Sequence, residues 1–443
     1  MKLLGVSALT SVAIVVLLAG SAWAVSSELT PPQPPRAPGS LGLSAPPSAA
    51  ATASVREAAT GMLTKYFGLS EAQAERNLDL QARAGDLGGE LLARMGRGLS
   101  QVSFDNEAGR YSVRLSPSGD AAQARQVLDS RGLANSEAVI ERADTDYIEH
   151  QQLAESIAKR VLEVTRAGHA SVVTVAGGVE ITLAAGASAD EQEIVNEVAQ
   201  SQNVLVKRDT RNDLRPTPAA CGAYGTNRYC DAVRGGSRWW EPNAGCSLGW
   251  WAGPSDPPYP YFLTAGHCIT PGGAAWWTCN AALTSCPFVG GEYGQRWGPG
   301  GDNGLLGVTN GAWAREAGFT DWRDGSRQPI TYLPGYWDYN QLAGTTVCHG
   351  GSTTGWSCGA LQGVTPPYPT GDPPGPNPAV WLDSMIRVEW ICMQSGDSGG
   401  PVFTADLRGA VGVTSTTEGC NVAGEFEGIK RMHDTYGLLP YGG

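Results

Sequence analysis

All ten cysteines of this 443-residue chain fall after residue 220: Cys221, Cys230, Cys246, Cys268, Cys279, Cys286, Cys348, Cys358, Cys392 and Cys420. A cysteine-dense stretch is held by cross-links, whereas a stretch without any must build its own core. The chain therefore divides near residue 215. An even cysteine count in an exported chain argues for disulfides. A zinc site is the alternative, but no C-x-x-C spacing occurs and only His267, His349 and His433 share the region, so no metal is expected.

The N-terminus supports export. Lys2 precedes the apolar run "LLGVSALTSVAIVVLLAG", and "SAWA" places an A-x-A site at Ala22 to Ala24. Residues 1–24 read as a signal peptide cut after Ala24, with a membrane anchor as the rival reading. No later stretch has the length and apolarity of a spanning helix. The net charge is −12 and long basic runs are absent, which argues against nucleic acid as a partner.

Residues 25–54 are rich in Pro, Ala and Ser and read as a linker. Residues 55–210 have helical periodicity, and Ser70 and Gln73 are spaced as a capping box. A weak internal repeat also runs through them. "QVSF", "RYSVRLS", "DAAQARQVLDS" and "AVIERADT" correspond to "SVVTV", "VEITLAA", "ADEQEIVNEVAQ" and "NVLVKRDT". A helix precedes each copy, so the pattern helix, hairpin, helix, strand predicts two small α+β lobes. Beyond 215, short β-branched runs alternate with Gly-rich turns, which predicts an all-β sandwich or barrel. "FEGIKRMHDTYG" is the exception and reads as a short helix.

Three motifs in the β region carry chemistry: "FLTAGHC" with His267, "GPGGDNGLLGV" with Asp302, and "MQSGDSGGP" with Ser398. A serine hydroxyl becomes a nucleophile when a base lies within reach and an acceptor fixes the tautomer of that base. His267, Asp302 and Ser398 could fill these roles. The backbone N–H groups of Gly396 and Ser398 could then face a developing oxyanion. "GDSGG" by itself also fits the nucleophile elbow of α/β-hydrolases. That reading needs a helix after the serine and the acid and histidine downstream. Here "PVFTA" follows, and the order is His, Asp, Ser.

With "VRGG", "CSLGWW" and "VCHGGSTTGWSCG" added, residues 233–443 resemble the chymotrypsin-like serine proteases, in particular the bacterial branch of α-lytic protease and the streptogrisins. Residues 55–210 look like the pro region of that branch, a folding helper and inhibitor, and 215–443 like its protease domain. The resemblance implies two six-stranded antiparallel β-barrels after an α+β pro region. It implies catalysis by His267, Asp302 and Ser398, and disulfides Cys246–Cys268, Cys348–Cys358 and Cys392–Cys420. The remaining cysteines are paired by proximity, Cys221–Cys230 and Cys279–Cys286. The expected protein is a secreted, monomeric endopeptidase acting on polypeptides without a cofactor. It is made as a pro-enzyme cut between about Thr210 and Ala220.

Cys392 stands where trypsin-like relatives carry an aspartate, so a Lys or Arg preference is not expected. Met393, Ser415, Thr416 and Thr417 are expected at the substrate pocket, and the two threonines should narrow it for small or medium apolar side chains. Glu418 nearby is a complication. His349 sits where bacterial relatives commonly have an arginine that pairs with the acid before the serine, here Asp397. Two readings stand for it: a partner of Asp397 that adds a second pH dependence, or a solvent-facing loop histidine. The paired tryptophans read as packing. A rival function is a catalytically silent binding protein using these Trp-rich loops.

Overall fold

The structure is a computed structural model. It describes residues 49–165, 169–175, 178–202, 204–208, 232–241, 244–253, 261–269, 275–278, 288–309, 314–320, 327–328, 343–366, 368–369, 381–382 and 385–440. The expected signal peptide, most of the linker, the expected cut site, and Cys221, Cys230, Cys279 and Cys286 lie outside the described residues.

The repeat read from the sequence is present. After α1 (Ala49–Phe67) and α2 (Glu71–Ala84), the first lobe runs α3 (Leu87–Met95), β1 (Leu99–Asp105), β2 (Arg110–Leu115), α4 (Ala121–Ser130), β3 (Ala138–Arg142). The second runs α5 (Tyr147–Val164), β4 (Ala170–Val175), β5 (Gly178–Leu183), α6 (Ala189–Gln202), β6 (Leu205–Arg208). In each lobe the hairpin is antiparallel and the third strand returns parallel, after a helix, beside the second. The capping box at the start of α2 is formed, with Ser70 N donating to Gln73 Oε1 at 2.9 Å.

Beyond residue 230 the regular structure among the described residues is strand, apart from a single turn at Gly266–Cys268 and one helix near the C-terminus. An eight-stranded sheet has the order β25 (Leu439–Pro440), β10 (Trp251–Gly253), β11 (Tyr261–Thr264), β14 (Gly301–Val308), β13 (Phe288–Gly298), β12 (Trp276–Trp277), β8 (Arg238–Glu241), β9 (Ala244–Ser247). A small sheet joins β7 (Ala232–Gly235), β15 (Ala314–Thr320) and β16 (Arg327–Gln328), and β19 (Tyr368–Pro369) pairs with β20 (Trp381–Leu382). The remaining strands close a six-stranded barrel in the order β17 (Thr346–Gly351), β18 (Gly355–Val364), β21 (Ile386–Glu389), β24 (Ala423–Gly428), β23 (Ala410–Thr417), β22 (Pro401–Thr404). The expected helix near the C-terminus is α7 (Ile429–Tyr436).

The second barrel is thus closed as expected. The first half is an eight-stranded sheet that does not close among the described residues, where a six-stranded barrel was expected. Trp239, Phe262, Trp276, Val289 and Leu306 fill its interior, with Trp239 and Trp276 edge to face. These tryptophans are core residues, which is the packing role read from the sequence.

The N-terminal lobes pack on the closed barrel. Val55, Ala59, Met62 and Leu63 of α1 share one apolar cluster with Cys348, Cys358, Ala360 and Phe403. Tyr66 stacks on Trp390 at 5.7 Å between centroids, and Phe67 meets the same ring edge-on at 4.8 Å. Trp390 itself has φ +60°, a region that bulky residues seldom adopt. Backbone and side-chain bonds fix the register: Phe104 N donates to Ala343 O at 2.7 Å, and Thr346 N to Gln81 Oε1 at 2.8 Å. Lys207 of β6 reaches Glu389 at 3.0 Å.

Candidate active site

The histidine comes from the end of β11. The chain leaves that strand at Thr264 and turns through Gly266–Cys268. Gly266 is required there, since a Cβ would stand 1.9 Å from Arg296 O. The Cys246–Cys268 disulfide ties the turn to β9. Cys246, His267 and Cys268 lie together, but both sulfurs are consumed by that disulfide, so the cluster is no metal site.

Asp302 is the second residue of β14, opposite Trp297 in the hairpin, and is fully buried. Its Oδ2 accepts from His267 Nδ1 at 2.7 Å and its Oδ1 from His267 N at 2.8 Å. This fixes the imidazole by ring and backbone together. Ser415 Oγ also donates to Asp302 Oδ2. Burial pushes the His267 pKa down, but the charge and hydrogen bond of Asp302 outweigh burial, and the net shift is upward. The imidazolium is thus favoured in the fold, as a base that must take a proton requires.

Ser398 lies between β21 and β22 in a loop shaped by Gly396 (φ +94°) and Gly399 (φ +85°). A Cβ at Gly399 would meet Thr264 Oγ1 at 2.1 Å, so glycine lets the loop close on β11. Ser247 N donates to Ser398 O at 2.7 Å, and Ser247 Oγ and Ser352 Oγ both donate to Gly396 O, at 2.7 and 2.8 Å. With its carbonyl held on both sides, the peptide at Gly396 is fixed. Among the described residues neither Gly396 N nor Ser398 N donates a hydrogen bond, so both remain free for an oxyanion. The Ser398 hydroxyl donates to Ser415 O at 3.2 Å. Among the described residues it makes no hydrogen bond to His267. The histidine and aspartate are therefore joined, and the serine stands in its loop with its hydroxyl turned to Ser415.

Asp397 is also fully buried. Its Oδ1 accepts Thr353 N at 2.7 Å and Thr354 N at 3.1 Å, and its Oδ2 accepts Thr354 Oγ1 at 2.6 Å and Gln394 N at 2.8 Å. Four uncharged donors thus do what an arginine was expected to do in relatives. His349 is fully buried, which corrects the solvent-facing reading. It does not bond Asp397. Its Nε2 donates to Cys392 O at 2.7 Å, while Nδ1 is buried without a partner. Protonating Nδ1 would strand a buried donor. Burial lowers the His349 pKa despite the pull of Asp397. Burial and the unpartnered Nδ1 both favour the neutral imidazole, and the expected bond to Asp397 is not formed.

Of the expected pocket residues, Met393 is fully buried with Ile391, Val388 and Phe426. Thr416 Oγ1 donates to Glu425 Oε2 at 2.9 Å and Thr417 Oγ1 to Met393 O at 2.8 Å. Glu418 is held by Arg387 at 2.8 and 3.2 Å and is only 6% exposed. The disulfides Cys348–Cys358 and Cys392–Cys420 are formed. Sequence reasoning did not give Ser415 its bond to Asp302, and did not single out Glu427, whose Oε2 accepts Asp302 N at 2.8 Å. The only available signal for Glu427 was two acids alternating with Phe426 in the strand "GEFEG".

A closed antiparallel barrel, a glycine-framed serine loop and a buried Asp–His pair are the features of the chymotrypsin-like class. Residues 328–435 match the family Trypsin. Streptogrisin-C of Streptomyces griseus is 34% identical over 102 residues, 22% of this chain and 20% of the relative. Streptogrisin-D of the same organism is 30% identical over 214 residues, 47% of this chain and 48% of the relative. The chain therefore spans about half or less of the length of the curated relatives it matches. Thermobifida fusca Protease A is 25% identical, with a TM-score of 0.38 over 48% of this chain and 100% of that one. The chain is thus similar to the bacterial streptogrisins over about half of its length, and its C-terminal part carries the Trypsin match.

Proposed function

We propose that the chain is the precursor of a secreted serine endopeptidase. The observation that carries this reading is the buried Asp302 bonded to both the ring and the backbone of His267. Ser398 Oγ attacks the scissile carbonyl after rotating from Ser415 O toward His267. His267 Nε2 takes its proton, and Asp302 stabilises the imidazolium. The N–H groups of Gly396 and Ser398 receive the oxyanion. His267 then protonates the leaving amine, and water repeats the sequence on the acyl-enzyme.

A fluorophosphonate probe is expected to label Ser398 in the processed wild type and to leave Ser398→Ala unlabelled. Absence of label in the wild type would favour the silent binding protein, a reading to which the Ser398–Ser415 bond lends support.

The substrate preference is for small or medium apolar residues before the cut bond. Thr416 and Thr417 are fixed by hydrogen bonds, and Arg387 draws Glu418 away as a counter-charge. Cleavage profiled on a peptide library should centre on Ala, Val, Thr and Leu. Dominant cutting after Phe, Tyr or Lys would refute the assignment.

Residues 55–210 act as the pro region. The observation behind this is the apolar seating of α1, Tyr66 and Phe67 on the barrel. Excision after 210 releases the protease domain outside the cell.

A further inference from the structure

Asp302 follows "GPGG", a turn in which Gly298, Gly300 and Gly301 have φ of +144°, +97° and +111°. Glycine-rich turns are entropically costly to order. The turn by itself does little to hold the residue after it, so the position of Asp302 has to be imposed from outside.

The C-terminal elements supply that hold. Glu427, in β24, is 1% exposed, and its Oε2 accepts the Asp302 N–H at 2.8 Å. Its other oxygen lies 3.2 Å from Arg431 Nε, one turn along α7. One residue on, Tyr436 of the same helix donates its hydroxyl to Asn303 O at 3.1 Å. Gly301 makes room: a Cβ there would stand 2.2 Å from Glu427 Oε2 and 3.0 Å from Arg431 Nη1. Asp302 is thus gripped at its carboxylate by His267 and Ser415, and at its backbone by Glu427.

We propose that Glu427 is a positioning residue that sets the Asp302 carboxylate against His267 and balances the charge of Arg431 beside the imidazole. The inference rests on the protease reading given above. The ionisable groups facing this pair are His267, Arg296, Arg431, Tyr436 and Glu292. Besides Glu427 and Asp302 themselves, Glu292 is the acid among these groups. Removing the Glu427 charge leaves Arg431 in place, so the potential at His267 becomes more positive and its pKa falls. Activity requires neutral His267, so the acid limb of kcat/KM then moves to lower pH.

The test is made on enzyme processed from full-length chains, with kcat, KM and pH profiles on a peptide substrate and the rate of fluorophosphonate labelling. Glu427→Gln keeps an oxygen for the Asp302 N–H. It should retain most of kcat while its acid limb moves to lower pH. Glu427→Ala removes the grip and should lower kcat roughly 100-fold with KM little changed. Wild-type kcat in Glu427→Ala overturns the proposal, as does an equal loss in both variants with an unmoved acid limb. Should Glu427→Ala fail to fold, Glu427→Gln decides, and an unmoved limb overturns the proposal. A wild type that does not react with the probe removes the protease reading and this inference together. A wild type that reacts no faster than Glu427→Ala removes the inference alone.

Discussion

Asp302→Asn should lower kcat by about four orders of magnitude and leave the fold intact, since the two side chains have one shape. Asp302 now accepts from three donors: His267 Nδ1, His267 N and the Ser415 hydroxyl. An asparagine can keep an oxygen on the backbone N–H, but its amide group then faces Nδ1. The imidazole must offer a lone pair there, so its proton moves to Nε2, the atom meant to receive the proton of Ser398. The upward pull on the His267 pKa also disappears, leaving burial to lower it. Single-turnover labelling and kcat should fall together. A loss of less than tenfold would mean that Asp302 does not orient His267.

Refolding of a chain that begins at Cys221 is the second large effect. Such a chain lacks α1, Tyr66 and Phe67 and leaves Trp390, at φ +60°, without its aromatic partners. Barrel pairing is non-local: β17 must find β22, and β21 must find β24. Loop entropy is lost before contacts repay it. Burying one aliphatic side chain contributes about 1.5–3 kcal/mol, and an aromatic pair about 0.5–1.5 kcal/mol more. If about 3 kcal/mol of the α1 interface is already formed in the transition state, its absence slows refolding roughly 100-fold. Activity regained after dilution from denaturant measures this, with and without residues 25–210 added in trans. Fast, complete recovery of the short chain would exclude a folding role for the N-terminal lobes.

The features legible in the sequence were those that local chemistry dictates. Ser70 and Gln73 were spaced for a cap and formed one. The doubled helix–hairpin–helix–strand order was visible because each copy must alternate apolar and polar residues to cover its own helix. His267 and Asp302 are legible as a candidate pair because their motifs place a histidine and an acid, and the two are joined by a hydrogen bond. His349 was misread in one of its two readings because "CHGGSTTGWSC" looks like a loop. Its first half is strand β17, buried along its whole length. The cradle of Asp397 was invisible for another reason: three of its four donors are backbone N–H groups, which no residue type announces. Glu427 was passed over because an acid's function there depends on a strand neighbour 125 residues away.

The cradle has a consequence for solvent conditions. An exposed ion pair weakens as salt rises, because mobile ions screen it. The charge of Asp397 is met inside the protein by three amide dipoles and a hydroxyl, groups that dissolved ions do not replace. Lys207, half exposed beside Glu389, belongs to the screened kind. Brine should therefore weaken this one ion pair at the edge of the N-terminal seat while the loop that presents Ser398 keeps its shape. A saline medium would act at the rim of that contact and leave the serine loop alone.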